Sequence, residues 1–210
     1  MTEAEWLASL EPQIVFRNLK GKPSARKMRL AAVACCRHTW HLLEDEISRN
    51  AVEAAELYAD KLITSAEIHE LEERASELVD LSRQYGTDNK ADAAQAAALC
   101  LALWAQASWG TSQVLGLTEK IISRQTQMGI LCCVFRVPFR PTSFDLAWRT
   151  SDSLALANGI YTERAFDRMP ILADALEEAG CDSEEVLLHC RGDGPHVKGC
   201  WVVDAVLGKE

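Results

Sequence analysis

Apolar residues recur along this chain at intervals of three and four, the spacing that places them on one face of an α-helix. After Pro23, a stripe of Met28, Ala32, Cys35, Cys36, Thr39, Trp40 and Leu43 leaves Arg26, Arg29 and Arg37 largely outside it, and Ser24 stands where an N-cap is needed. From about Asp45 a further helix presents Ile47, Ala51, Ala54, Tyr58 and Leu62 on one side. Thr64 and Glu67 have the spacing of a capping box. They open a helix that turns Ile68, Leu71, Ala75, Leu78 and Tyr85 inward and stops at Gly86. These two segments read as an antiparallel helical hairpin.

Thr2 with Glu5 predicts an opening helix, and Pro12 the first turn of a short one that ends at Gly21. Alanine dominates residues 88–108, which gives high helix propensity with little facial pattern. One helix is expected from Ser112 to about Phe135, its stripe interrupted by Gly116 and Gly129. Pro138 and Pro141 bar its continuation through 137–142. Beyond them, Thr150 caps a helix through Leu154, Leu156 and Tyr161, and Pro170 opens one that Gly180 stops. Asp182 and Glu185 repeat the capping-box spacing before a helix that Gly192 ends. The terminal GCWVVDAVLG fits helix or strand by pattern, and its length and neighbours favour helix.

The chain therefore reads as all-α, an irregular multi-helix bundle with a smaller C-terminal helical lobe. It is expected to be a single helical domain over 1–210, with a seam at 137–142 between an N-terminal bundle (1–136) and a C-terminal lobe (143–210). No repeat of solenoid period is evident.

Composition supports a folded chain: 48% of the residues are hydrophobic and 25% charged, and 210 residues bury a core without help from bridges or metal. The longest apolar run, Ala96–Ala105, is about half of the ~20 residues a membrane helix needs. Acidic residues near the start, Glu3, Glu5 and Glu11, stand where a secretory signal would be basic. A cytoplasmic location without membrane association is the expectation. Eight cysteines in that setting read as reduced thiols, most of them in the core. The net charge of −9 is uneven, with a basic excess in residues 1–40 and a strongly acidic stretch in 41–80. A basic helix beside acidic ones accounts for this better than a nucleic-acid surface built from Arg17, Lys20, Lys22, Arg26, Lys27 and Arg29.

The stretches MTEAEWLAS, AAVACCRHTWHLLEDE, PFRPTSFDLAW, FDRMPILADALEEAGC and HCRGDGPHVKGCWVVDAVLGKE together resemble a protein family expanded in planctomycete bacteria. The resemblance covers nearly the whole chain, and the C-terminal block is its most specific part. It brings no activity, cofactor or catalytic residue with it. Relatives commonly have a longer alanine- and tryptophan-rich middle, which implies that residues 91–109 form a helix whose length can vary.

Candidate chemistry concentrates in HCRGDGPHVKGCW, residues 189–201. Cys190, His196 and Cys200 supply two thiolates and an imidazole for a tetrahedral zinc, with His189, Cys181, Cys35 or His38 as the fourth ligand. The spacing matches no standard finger, and buried apolar cysteines with a loop-bracing His196 are the competing account. A second reading sets the backbone amides of Gly192, Gly194 and Gly199 with Arg191 and Lys198 around an anion, against glycines serving only tight turns. Cys35 and His38 share a helical face, but a thiol on the apolar side is a poor nucleophile. Asp204, set among Trp201, Val202, Val203 and Val206, is expected to be anchored by Arg168 or Arg191. The function expected is a non-enzymatic helical protein-interaction module. The alternative is a zinc- or anion-binding protein, an enzyme among its forms, centred on 189–200. An exposed apolar groove would favour the first; a pocket gathering His189, Arg191, His196 and Cys200 would favour the second.

Overall fold

The computed structural model describes residues 5, 9, 11–19, 23–85, 89–102, 107–136 and 144–209, and the described residues form helices joined by turns, with no strand among them. Of the expected opening helix Glu5 is described and Thr2 is not; the stop at Gly86 and the seam at 137–142 lie outside the described residues, and the short helix expected to reach Gly21 ends earlier, at Arg17.

The chain divides into two compact units within one helix, at Met128 and Gly129, upstream of the seam expected at the prolines. In the unit from Ala8 to Met128, α1 is Pro12–Arg17, α2 Ala25–His38, α3 Glu46–Ala59, α4 Ser65–Tyr85, α5 Asn89–Ala102 and α6 Ala107–Thr118. Ser24 and Asp45 cap α2 and α3 through the backbone N–H groups of Lys27 (3.2 Å) and Ser48 (2.6 Å). The Thr64 N–H donates to Glu67 Oε2 at 2.8 Å, and the Glu67 N–H donates to Thr64 Oγ1 at 3.4 Å, completing the capping box of α4. Helices α2, α3, α5 and α6 surround a core rich in alanine, with Leu30, Val33, Val52, Leu101 and Leu115 fully buried. Small residues on α3 and α5 let these helices approach closely, so the alanine-rich α5 finds partners in α3, α4 and α6 despite its weak facial pattern. Leu62, expected on the inner side of α3, falls beyond the helix end and is 69% exposed.

The single helix expected over 112–135 is two helices, α6 and α7 (Arg124–Phe135). Thr118 turns its hydroxyl back onto the Val114 carbonyl at 2.7 Å, and its own carbonyl accepts from the Ile121 and Ile122 amides. Ser123 then caps α7 by accepting from the Thr126 N–H at 3.0 Å. Gln127, almost fully buried, pins the turn by donating to Leu115 O and Thr118 Oγ1, both at 2.9 Å.

The second unit consists chiefly of Gly129–Glu210. After α7 come α8 (Ser151–Glu163), α9 (Met169–Glu178), α10 (Glu184–Arg191) and α11 (Trp201–Leu207). Thr150 caps α8, Pro170 lies in the first turn of α9, and the terminal segment is helical as the pattern favours. Its core gathers Ile160, Met169, Leu172, Leu176, Val203 and Val206. The capping-box spacing of Asp182 and Glu185 is not used as one: Glu185 instead accepts from Arg136 Nε at 2.9 Å and from a terminal guanidinium nitrogen at 3.2 Å. Asp204 is buried as expected, but the two arginines named for it bind elsewhere, Arg168 to Glu163 and Arg191 to Asp174 and Glu177. No helix among the described residues is long and apolar enough to cross a membrane.

Candidate metal centre

Four side chains of the Gly129–Glu210 unit meet at one point: Cys133 from α7, His189 from α10, His196 from the following loop, and Cys200 at the start of α11. Their donor atoms all lie within 4.8 Å of one another. Zinc–sulfur bonds of about 2.3 Å imply tetrahedral edges of roughly 3.8 Å, so a bound ion would need only small side-chain shifts.

The approach depends on Gly129. A Cβ built on it would sit 2.3 Å from Cδ of Pro195, so the bare backbone of α7 is what lets the loop lie against the helix. Cys133 is one turn further along the same face, and His196 follows Pro195; the close packing thus sets this thiol and this imidazole side by side. Cys133 Sγ and His196 Nδ1 are 4.0 Å apart. The Gly194–Pro195 peptide is cis, and Gly194 has φ +81°. A Cβ at Gly194 would come within 2.7 Å of the His196 backbone nitrogen, so this glycine is required by the turn.

Hydrogen bonds orient both rings. The carbonyl of Gly192 is 3.2 Å from His196 Nε2 and can only accept, so Nε2 donates to it and Nδ1 is the ring nitrogen left on the side of Cys133. His189 Nε2 is 3.2 Å from Cys200 Sγ. The two imidazoles meet edge to face with centroids 4.9 Å apart, and Trp201 lies 5.3 Å from His189. Arg136, held by Glu185, sits 5.3 Å over the Trp201 ring and completes the support behind His189.

Electrostatics favour a thiolate here. Complete burial acts to raise the Cys200 pKa, but hydrogen bonds from Cys133, His189 and His196 and the field of His189 outweigh it, holding the thiol well below its ordinary range. Burial likewise opposes protonation of His196, and its contacts with Cys200 and Gly192 reverse the balance, so its pKa is raised. Elsewhere burial wins: it is the main cause raising Cys35, Cys181 and Cys190, and it pushes Cys132 up to about 11.

Of the ligands expected from the loop, His189, His196 and Cys200 converge, whereas Cys190 does not join them. Cys190 points into the apolar core of the unit, as does Cys181. The fourth donor is Cys133, more than fifty residues upstream. Its one sequence signal is a glycine four residues earlier in an otherwise apolar helix, Gly129-x-x-x-Cys133. Cys35 belongs to the other unit, fully buried, with Thr118 as its hydrogen-bond partner.

The residues of the anion reading are spread over several tasks. Arg191 donates to Asp174 at 2.9 Å and to Glu177 at 2.6 Å, and Lys198 lies 5.1 Å over the Tyr161 ring. Gly199 and Gly194 adopt positive φ for turns. Among the basic residues weighed for nucleic acid, Arg26 donates to Asp60 at 3.1 Å, and Arg29 is buried with its guanidinium 4.6 Å above Tyr58. The chain matches no family model, no curated protein and no solved structure.

Proposed function

We propose that this protein holds a zinc ion between Cys133, His189, His196 and Cys200, as the closed structural centre of a non-enzymatic helical protein. The observation that carries this reading is the convergence of two thiols and two imidazoles, from three helices and a loop, within 4.8 Å. Thiolate and imidazole suit zinc and disfavour magnesium or calcium, which take oxygen donors. Four protein ligands leave no position for a substrate, the pattern of a structural rather than a catalytic site. The His196 hydrogen bond to Gly192 is the kind of outer contact that fixes ligand orientation. An interaction module, the role favoured by the helical pattern, would use this centre as its scaffold.

The test is metal content by plasma mass spectrometry on untagged protein, with thiols counted before and after denaturation. One zinc per chain is expected, lost in Cys133→Ser and retained in Cys190→Ala. Protein that stays metal-free when folded in excess zinc, with no rise in melting temperature, would sink the reading.

A further inference from the structure

The Ala8–Met128 unit contains a second candidate site, independent of the metal cluster. Helix α6 packs against both α1 and α2, and Thr111 Oγ1 donates to the Met28 carbonyl at 2.9 Å, tying α6 to α2. Beside this contact lies a cavity of about 670 Å³. That size falls within the roughly 300–1,000 Å³ typical of small-molecule sites. Its apolar wall includes Phe16, Leu19, Met28 and Trp109. Trp109 is 54% exposed, an indole whose apolar face is left in water unless something covers it.

The opposite character is supplied by Arg17, Ser108, Ser112 and Gln113, which also line the cavity. Among the described residues Arg17 makes no ion pair, and these four side chains make no hydrogen bond. Two other basic groups of the unit are engaged, Arg26 with Asp60 and Arg37 with Glu56. Ser108 and Ser112 are one turn apart on α6, with Trp109 and Gln113 as the adjoining pair, so one helix edge presents hydroxyls, an amide and an indole together.

We propose that this cavity binds a small monocarboxylate with an apolar body. The guanidinium fork of Arg17 matches the two oxygens of one carboxylate. Among the described lining residues Arg17 carries the one charge, which balances a monoanion, whereas a phosphomonoester carries close to two negative charges and would leave part of them unpaired. The serine hydroxyls and the Gln113 amide offer further donors to the head group. Phe16, Leu19 and Trp109 receive the body, and the flexible thioether of Met28 adapts to its shape.

The experiment titrates the 210-residue chain with submillimolar decanoate, following tryptophan fluorescence and calorimetric heat, with decanol as the uncharged probe. Saturable binding of decanoate is expected, with the fluorescence change abolished in Trp109→Phe and affinity lowered about tenfold or more in Arg17→Met. Decanol is expected to bind far more weakly. Both substitutions are at exposed positions, and circular dichroism checks that helix content is kept. Equal affinity for decanol and decanoate, or an Arg17→Met protein that binds decanoate normally, overturns the carboxylate assignment. No saturable heat or fluorescence change overturns the site itself.

Discussion

Gly129 decides whether Cys133 meets His196, and two opposing effects act on it. Alanine in its place gains about 1 kcal/mol of helix propensity. The added methyl would stand 2.3 Å from a proline ring that has no flexible end to move aside. Overpacking of this kind costs roughly 1–3 kcal/mol and shifts backbone, so the clash outweighs the propensity. Gly129→Ala is expected to weaken zinc binding about 10- to 100-fold, measured by competition with a chromophoric chelator; unchanged affinity would mean that the loop packs elsewhere. From the sequence, Gly129 reads only as a break in a stripe and Cys133 as one more core thiol. His189, His196 and Cys200 are legible because they crowd one loop. Cys133 is not, because nothing local distinguishes a ligand thiol from a buried one, and Cys190 has the better spacing on paper.

Helix ends follow local chemistry. The caps at Ser24, Asp45, Thr64 and Thr150 stand where the sequence puts them, since a cap needs only a side-chain oxygen and an amide two or three residues on. The bonds from the Thr64 N–H and hydroxyl hold the Glu67 carboxyl below its ordinary pKa. A depressed carboxylate stabilises the start of α4 above the unfolded value, about 4.3, and loses that contribution as pH falls through the folded value. Acid titration followed by amide chemical shifts is therefore expected to fray the first turn of α4 at a pH below 4.3, and Glu67→Gln to abolish that transition. Where the same spacing failed, at Asp182 and Glu185, a tertiary partner won: Arg136 offers Glu185 two charge-assisted bonds. The break between α6 and α7 also needed tertiary information. Thr118, Ser123 and Gln127 each fit inside a helix by propensity, and the turn is held by the bond from Gln127 back to Thr118 and by the Ser123 cap on Thr126.

The charge asymmetry of the chain resolves into pairing between neighbours, as Arg26 meets Asp60 and Arg37 meets Glu56 across α2 and α3. A structural zinc centre in the Gly129–Glu210 unit predicts a regional response to chelation. Hydrogen exchange after zinc removal is expected to accelerate in α10, α11 and the loop between them, while α2, α3 and α5 keep their protection. Uniform acceleration, or none, would contradict a metal confined to that unit. By itself the sequence determined that the chain is helical, where most helices begin and end, and which loop is rich in thiols and imidazoles, because periodicity, capping and composition are properties of near neighbours. Only the tertiary structure decided that α6 and α7 are separate, that the units divide within α7, that Arg17 faces a cavity, and that Cys133 rather than Cys190 completes the cluster. Those outcomes rest on contacts between residues far apart in the chain, and their geometry is fixed by packing that no local pattern encodes.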